Sequence, residues 1–172
     1  MSGRNAGKPA RAAERQPAAL RHTSRQAADR IELSAVRYLA ARDRTEAQFR
    51  AYLTKVGASP SRTRALINRF RARGYLNDAA FAVQWARSRL ARRPMGRAGL
   101  EAELLRQGVD RHTTTRTLDL VYGEISEREL AGRLVGHAIH HHSDLVRCAE
   151  RLRRQGFSEE TIEAVLSEAE ND

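Results

Sequence analysis

Cysteine is almost absent from this sequence, since Cys148 is the single one among 172 residues. One cysteine cannot form a disulfide within the chain, which excludes the covalent framework of small secreted domains and favours a reducing compartment. Residues 1–26 contain no apolar run of the kind that forms the core of a secretory signal. The sequence also contains no continuous run of about 18 apolar residues that would suit a membrane span. We therefore expect a protein of the cytoplasm.

Aromatic residues are scarce at 5%, although 41% of the residues are hydrophobic. Such a composition suits the packing of Ala and Leu on helices better than the packing of sheets. After residue 30 the apolar residues recur with a period of about 3.6, and none of them alternates in the manner of a strand. The sequence therefore predicts an all-α protein.

Lysine is also scarce: Lys8 and Lys55 are the only lysines among 31 cationic residues, and the net charge is +10. A GC-rich genome explains this preference for arginine as well as selection for bidentate contacts does. The charge is concentrated, since residues 61–108 contain eleven cationic and three acidic residues. Such a cluster repels itself unless an anion neutralises it, so we expect an anionic partner.

The N-terminal segment, residues 1–29, is basic and rich in Gly, Pro, Ser and Gln. It has too few large apolar groups to offset the entropy of ordering, so the sequence predicts a disordered arm. From Asp29 onward the chain is predicted to be helical, because Leu33, Val36 and Leu39 to Ala40 recur at helical spacing.

A pattern that marks the end of one helix and the start of the next recurs three times in the rest of the chain. Each copy is Leu-x-x-x-Gly, followed two residues after the glycine by a residue with a side-chain oxygen. The glycine suits a helix C-terminus and the oxygen caps the next helix, so the pattern predicts tandem modules of three helices. The copies are Leu53–Gly57 with Ser59, Leu104–Gly108 with Asp110, and Leu152–Gly156 with Ser158. We predict modules at 30–76, 77–123 and 124–172, the last with an acidic end.

The second module carries the densest arginine cluster. In a helix over 78–93, Phe81, Ala82, Trp85 and Ala86 share one face, which we interpret as buried. Trp85 is expected to anchor the core rather than to stack on a nucleic-acid base. Any single arginine here is explained by a solvated helix surface, whereas the whole cluster favours a partner.

Three segments of the chain follow one after another with fixed spacing: Gly74-Tyr-Leu-Asn77-Asp78-x-x-Phe81-Ala82, Trp85-Ala-Arg87-Ser-Arg89 and Gly96-Arg97-x-x-Leu100-x-x-x-Leu104-x-x-x-Gly108-Val109. They resemble the central repeat of the RecX regulatory proteins, which modulate the bacterial recombinase RecA. The resemblance extends from about Leu33 to Leu166. Asn77 stands where an acid is usual, and Asn caps a helix equally well. The resemblance implies an elongated, curved array of three three-helix modules.

The resemblance also implies a function. Such a protein binds in the groove of the RecA–DNA filament, inhibits ATP hydrolysis, strand exchange and SOS-related activity, and contacts single- or double-stranded DNA. A basic concave face suits both acidic protein surface and phosphates, and we expect a monomer. The alternative is a general nucleic-acid-binding protein that acts without RecA. The candidate contact residues are Arg69, Arg73, Arg87, Arg89, Arg92, Arg93, Arg97 and Arg106.

No catalytic site is predicted, since the sequence has no phosphate-binding loop, nucleophile elbow or carboxylate pair in an apolar environment. We therefore expect no enzyme and no cofactor. His137, His141, Asp144 and Cys148 would share one face only on a continuous helix, and a new cap at Asp144 argues against a metal site. The role of the histidine run at 140–142 is not predicted.

Overall fold

A computed structural model describes residues 18–135 and 142–171 of the chain. These residues form nine α-helices and no strand, which confirms the all-α prediction for this part of the chain. The helices are α1 (Ala18–Ala41), α2 (Glu46–Lys55), α3 (Pro60–Ala72), α4 (Asp78–Arg92), α5 (Arg97–Arg106), α6 (Arg111–Glu124), α7 (Glu127–Val135), α8 (His142–Arg154) and α9 (Glu159–Asn171). We call α1–α3, α4–α6 and α7–α9 the first, second and third modules.

The predicted helix starts use side-chain caps. The hydroxyl of Thr45 accepts from the amide of Gln48 at 3.1 Å at the start of α2, as a capping box requires. The Gln48 side chain does not complete that box, because its amide donates to Gln107 of the second module instead. The side chains of Ser59 and Asn77 cap α3 and α4 in the same way as Thr45 caps α2.

The repeated turn has the same hydrogen bond in all three modules. The residue after each glycine donates its amide to the carbonyl oxygen of the repeat's leucine, as in a Schellman motif. The three donors are Ala58 to Leu53 at 3.0 Å, Val109 to Leu104 at 3.2 Å and Phe157 to Leu152 at 3.2 Å. The glycines Gly57, Gly108 and Gly156 have φ angles of 82°, 85° and 79°, a region that favours glycine.

The hydrophobic residues form two cores. The first module has its own, built around the buried side chains of Phe49, Ile67 and Phe70. The second and third modules share one core, in which Leu100 and Leu104 of α5 belong to the same cluster as Leu152 and Ile162. The second module is therefore joined to the third by buried apolar surface.

The second helices of neighbouring modules meet end to end: α5 meets α2, and α8 meets α5. At the end of α5 the carbonyl oxygen of Gln107 accepts from the Thr45 hydroxyl at 2.8 Å, at the start of α2. At the end of α8 the carbonyl oxygen of Gln155 accepts from the amide of Gly96 at 3.0 Å, at the start of α5. Each junction thus joins a helix C-terminus to a helix N-terminus, where the orphan carbonyls and amides have opposite partial charges.

Helix α1 differs from the sequence prediction in its start. It begins at Ala18 rather than near Asp29, so part of the predicted disordered arm is helical, and residues 1–17 lie outside the described residues. Leu33 and Val36, which recur at helical spacing, are 53% and 45% exposed. The helix instead turns Ala35 inward and stacks the ring of Tyr38 on the ring of Tyr52, with centroids 3.9 Å apart. Aromatic stacking across α1 and α2 thus determines the rotation of α1.

Candidate partner-binding surface

The eight predicted contact arginines lie on three successive helices and their ends. Arg69 is on α3 and Arg73 caps its C-terminus. The others lie on α4, at its C-cap and on α5, namely Arg87, Arg89, Arg92, Arg93, Arg97 and Arg106. Most of the arginines predicted to contact a partner therefore lie in the second module.

Several of these arginines form ion pairs between helices of the chain itself. Arg89 on α4 donates to both carboxylate oxygens of Glu103 on α5, at 2.7 and 2.9 Å. Arg106 approaches the same carboxylate at 3.7 Å. Arg87 and Arg97 pair with carboxylates of α6, Glu124 and Asp119 respectively. Arg87, Arg89 and Arg97 therefore link α4, α5 and α6, whereas the Arg106–Glu103 pair lies within α5. The charge of all four arginines is partly neutralised within the chain.

The Arg89–Glu103 pair is the best formed of these contacts. Both side chains are less exposed than in the other pairs of the second module, at 26% and 18%. The hydrogen bond from Arg89 lowers the pKa of the Glu103 carboxyl, and the same bond raises the pKa of Arg89. Bidentate guanidinium–carboxylate geometry of this kind fixes both side chains.

Arg69 also has an internal partner. Its guanidinium lies 2.6 Å from the carboxylate of Glu32 on α1, and Arg62 lies 3.3 Å from the same carboxylate. The Arg69 guanidinium also sits 5.3 Å from the centroid of the Phe70 ring. This arginine therefore joins α3 to α1 rather than projecting freely into solvent.

Three predicted contact residues remain without a carboxylate in the described part of the chain: Arg73, Arg92 and Arg93. All three are exposed. Arg92 donates to the backbone and hydroxyl oxygens of Ser88, one turn earlier on α4. The structure thus divides the predicted surface into arginines that hold helices together and arginines that remain available to an anion.

A cleft of about 510 Å³ lies between α4 and the connection from α1 to α2. From α4 it is lined by the aromatic rings of Phe81 and Trp85 and by the guanidinium of Arg92, and from the connection by Arg42. Trp85 is half-buried and packs against the shared core as well as lining the cleft. The predicted anchoring in the core is thus accompanied by an open ring surface. We call this cavity the Trp85 cleft.

Sequence reasoning missed Arg42 and Arg44, which lie outside the densest arginine cluster. A contact between the first two modules brings them to α4, since the amide of Glu46 donates to the carboxylate of Asp78 at 2.9 Å. Burial raises the pKa of Asp78, and the hydrogen bond from Glu46 opposes that rise. The position of the α1–α2 connection beside the second module could have been predicted only from the contact between the starts of α2 and α4.

The histidine and cysteine residues weighed as metal ligands do not form a cluster that the structure describes. Asp144 and Cys148 lie on α8, whereas His137 and His141 are outside the described residues. In residues 18–135 and 142–171, no group of three or more His, Cys, Asp or Glu side chains is arranged to bind a metal. The same residues contain no helix with the length and apolarity of a membrane span.

The described residues define an all-α protein of nine helices, whose second module carries most of the candidate contact arginines. The model of the second three-helix domain of RecX proteins matches residues 77–118. The chain is 33% identical over 148 residues to the regulatory protein RecX of Mycobacterium leprae, covering 81% of this chain and 86% of that protein. It is 31% identical to the regulatory protein RecX of Treponema pallidum strain Nichols, covering 78% and 74% of the two chains. The chain belongs to the RecX family of regulatory proteins.

The fold agrees with solved structures of this family. The crystal structure of RecX from Lactobacillus salivarius superposes with a TM-score of 0.77 at 16% identity, covering 86% of this chain and 99% of that one. A second crystal structure of a regulatory protein RecX gives a TM-score of 0.71 at 18% identity, with coverage of 88% and 78%. At these identities the likeness establishes the arrangement of helices.

Proposed function

We propose that this chain binds in the groove of the RecA–DNA filament and inhibits its ATP hydrolysis, strand exchange and SOS-related activity. The observation that carries the proposal is membership of the RecX family over four-fifths of the chain. In the proposal the chain acts by binding rather than by catalysis, as a monomer in the cytoplasm.

The charge distribution supports this proposal. Arg73, Arg92 and Arg93 are exposed, and none of them forms an ion pair with a carboxylate of the described residues. Arg93 nevertheless lies close enough to Glu103 to help lower the pKa of that carboxyl. A filament groove presents acidic protein surface beside nucleic-acid phosphates, and guanidinium groups bind both. The paired arginines, such as Arg89, contribute by holding α4 and α5 in position beneath these three.

The test is a titration of RecA's DNA-dependent ATPase with the purified full chain. We expect hydrolysis to fall as the chain is added and filaments to shorten or to become decorated in electron micrographs. The titration is repeated at double the DNA concentration, because simple competition for DNA would then be relieved whereas filament binding would not. Unchanged hydrolysis and filament length at a molar excess would overturn the proposal. Tight DNA binding with inhibition that excess DNA reverses would favour the general nucleic-acid-binding alternative.

A further inference from the structure

The Trp85 cleft combines features that the proposed filament contact does not explain. Its walls place aromatic rings beside arginines, and its volume of about 510 Å³ falls within the range of small-ligand sites, roughly 300–1,000 Å³. We propose that the Trp85 cleft binds a single DNA strand, with one unpaired base stacked on Trp85 and the strand's phosphates on Arg42 and Arg92.

The first argument is the placement of the aromatic rings on α4. At about 100° per residue, Phe81, Trp85 and Arg92 fall within an arc of roughly 40° on the helix. Trp85 is half-buried, packs against the core, which restricts its ring, and also lines the cleft. A ring held in this way stacks on a base without losing much rotational freedom, and such stacking is tolerant of base sequence.

The second argument is the charge of the cleft. Arg42, Arg89 and Arg92 line it together with one carboxylate, that of Asp43, so the balance is positive. The guanidinium of Arg89 is already paired with the carboxylate of Glu103. Arg42 and Arg92 have no carboxylate partner in the described part of the chain, and both are exposed. Two available guanidinium groups beside an aromatic platform match the two parts of a nucleotide, phosphate and base.

The third argument is that the cleft continues along α4. A smaller recess of about 140 Å³ shares Asp43, Phe81 and Gln84 with it and adds Tyr75 and Arg44. Tyr75 is 65% exposed, and its ring meets the edge of Phe70 with centroids 6.0 Å apart. Aromatic and arginine side chains therefore continue from the Trp85 cleft into a second recess, as a strand of more than one nucleotide requires.

The shape and chemistry favour a single strand over other anions. In a duplex the base faces are covered by their neighbours, so Trp85 cannot stack on them. An acidic peptide offers carboxylates to the arginines but no flat partner for Trp85. The inference deepens the proposed function, because a recombinase filament holds DNA, yet its test uses no recombinase. Failure of either proposal can therefore be recognised separately.

The experiment exploits the fact that Trp85 is the single tryptophan of the chain. The full chain is titrated with a dT oligonucleotide of about 12 residues while intrinsic fluorescence is recorded. We expect saturable quenching, and an affinity that falls with salt at a slope of about 0.7 per phosphate contacted. Parallel titrations use an abasic strand of equal length, a blunt duplex and poly-glutamate. These three should quench weakly, because none of them offers an accessible unpaired base.

Variants separate stacking from charge. Trp85→Leu keeps an apolar side chain but removes the ring, and should weaken binding of a labelled oligonucleotide about 10- to 100-fold, whereas Trp85→Phe should stay within about threefold. Arg42→Ala with Arg92→Ala should weaken binding more than Arg111→Ala with Arg116→Ala, which removes the same charge from exposed positions on α6. Circular dichroism verifies that each variant is folded.

Three results would overturn the inference. Absence of quenching at saturating oligonucleotide would show that no base reaches Trp85 in the folded wild-type chain. Equal quenching by the abasic strand or by poly-glutamate would show a general anion site. Equal affinity of Trp85→Leu and the wild type would place any DNA contact elsewhere on the protein. The first two results do not depend on any variant and so stand even if a substitution unfolds the chain.

Discussion

The amide of Gly96 donates to the carbonyl oxygen of Gln155 across 3.0 Å, where the end of α8 meets the start of α5. Around this bond the two backbones are in direct contact. A Cβ atom at Gly99 would lie 2.2 Å from the same carbonyl oxygen, and one at Gly96 would lie 2.1 Å from the carbonyl oxygen of Gly156. The junction of the second and third modules therefore depends on glycine for close approach.

Replacing Gly99 by alanine should separate this junction. Alanine is the better helix former by about 1 kcal/mol, so any loss of stability must come from the clash with the Gln155 backbone. We expect the free energy of unfolding to fall by about 2 kcal/mol or more, within the range for overpacking. Urea unfolding followed by circular dichroism measures the change.

The matched control is Gly132→Ala on α7, where a Cβ would meet nothing within 4 Å. This variant should be more stable than the wild type by about 0.5–1 kcal/mol, because only the helix propensity changes. If Gly99→Ala were also stabilising, the close approach at the junction would not exist in solution.

The local signals in the sequence predicted the helices well. Ser59, Asn77 and Asp110 cap the helices that they were expected to start, and Gly57 ends α2 as its repeat pattern indicates. Each of these features depends on residues within four positions of one another, so the sequence contains the whole interaction.

Contacts between distant parts of the chain were not predictable in the same way. The sequence shows Arg87 and Arg97 as surplus charge, and only the fold brings Glu124 and Asp119 of α6 beside them. Likewise Arg42 joins the Trp85 cleft because the start of α2 contacts the start of α4 through Glu46 and Asp78. A charge count along the chain cannot distinguish an arginine that is paired across helices from one that is available.

Acid should weaken the Arg89–Glu103 pair. The hydrogen bond from Arg89 lowers the pKa of Glu103 in the folded chain below its unfolded value of about 4.3. The pair therefore contributes fully above that pH, and its contribution is lost as the pH falls through the folded-state pKa. We expect Glu103→Gln to cost about 1–2 kcal/mol of unfolding free energy at pH 7 and less than half of that at pH 3.

Urea titrations of the wild type and Glu103→Gln at both pH values test this expectation. Other acidic groups titrate alike in the two proteins, so the difference between the proteins isolates the pair. An equal difference at pH 7 and pH 3 would mean that the carboxylate charge does not contribute.

Removal of residues 1–28 should leave stability almost unchanged. Among the α1 side chains that the structure describes, which begin at residue 26, Ile31 is the first that packs against the core of the first module, and residues 26, 27, 29 and 30 are exposed. We expect the unfolding free energy to change by less than about 0.5 kcal/mol, as for other surface changes. Thermal unfolding compares this truncation with one of residues 1–36, which also removes the buried Ala35 and should be clearly destabilising. A large fall in midpoint for the shorter truncation would show that the N-terminal segment docks on the folded modules.

Filament binding should depend on the arginines that have no carboxylate partner. Replacing Arg73, Arg92 and Arg93 together by alanine should weaken binding strongly while the helices remain folded, because none of the three pairs with a carboxylate in the described residues. If all three contact phosphates, the slope of log affinity against log salt should flatten by about two to three units, at about 0.7–0.9 per phosphate. If the three arginines instead contact carboxylates of the recombinase, replacing them should also weaken filament binding. In that case the wild-type chain itself should bind naked DNA poorly.

The control for this variant is a second triple replacement with the same loss of charge, at Arg64, Arg111 and Arg116. These side chains are exposed and lie on α3 and α6, outside the predicted contact set. Sedimentation with RecA filaments over a range of salt concentrations compares the two variants. A general effect of net charge would weaken both equally, whereas a contact surface weakens the first variant alone. Wild-type binding by the Arg73, Arg92 and Arg93 variant would mean that the filament meets another face of the protein.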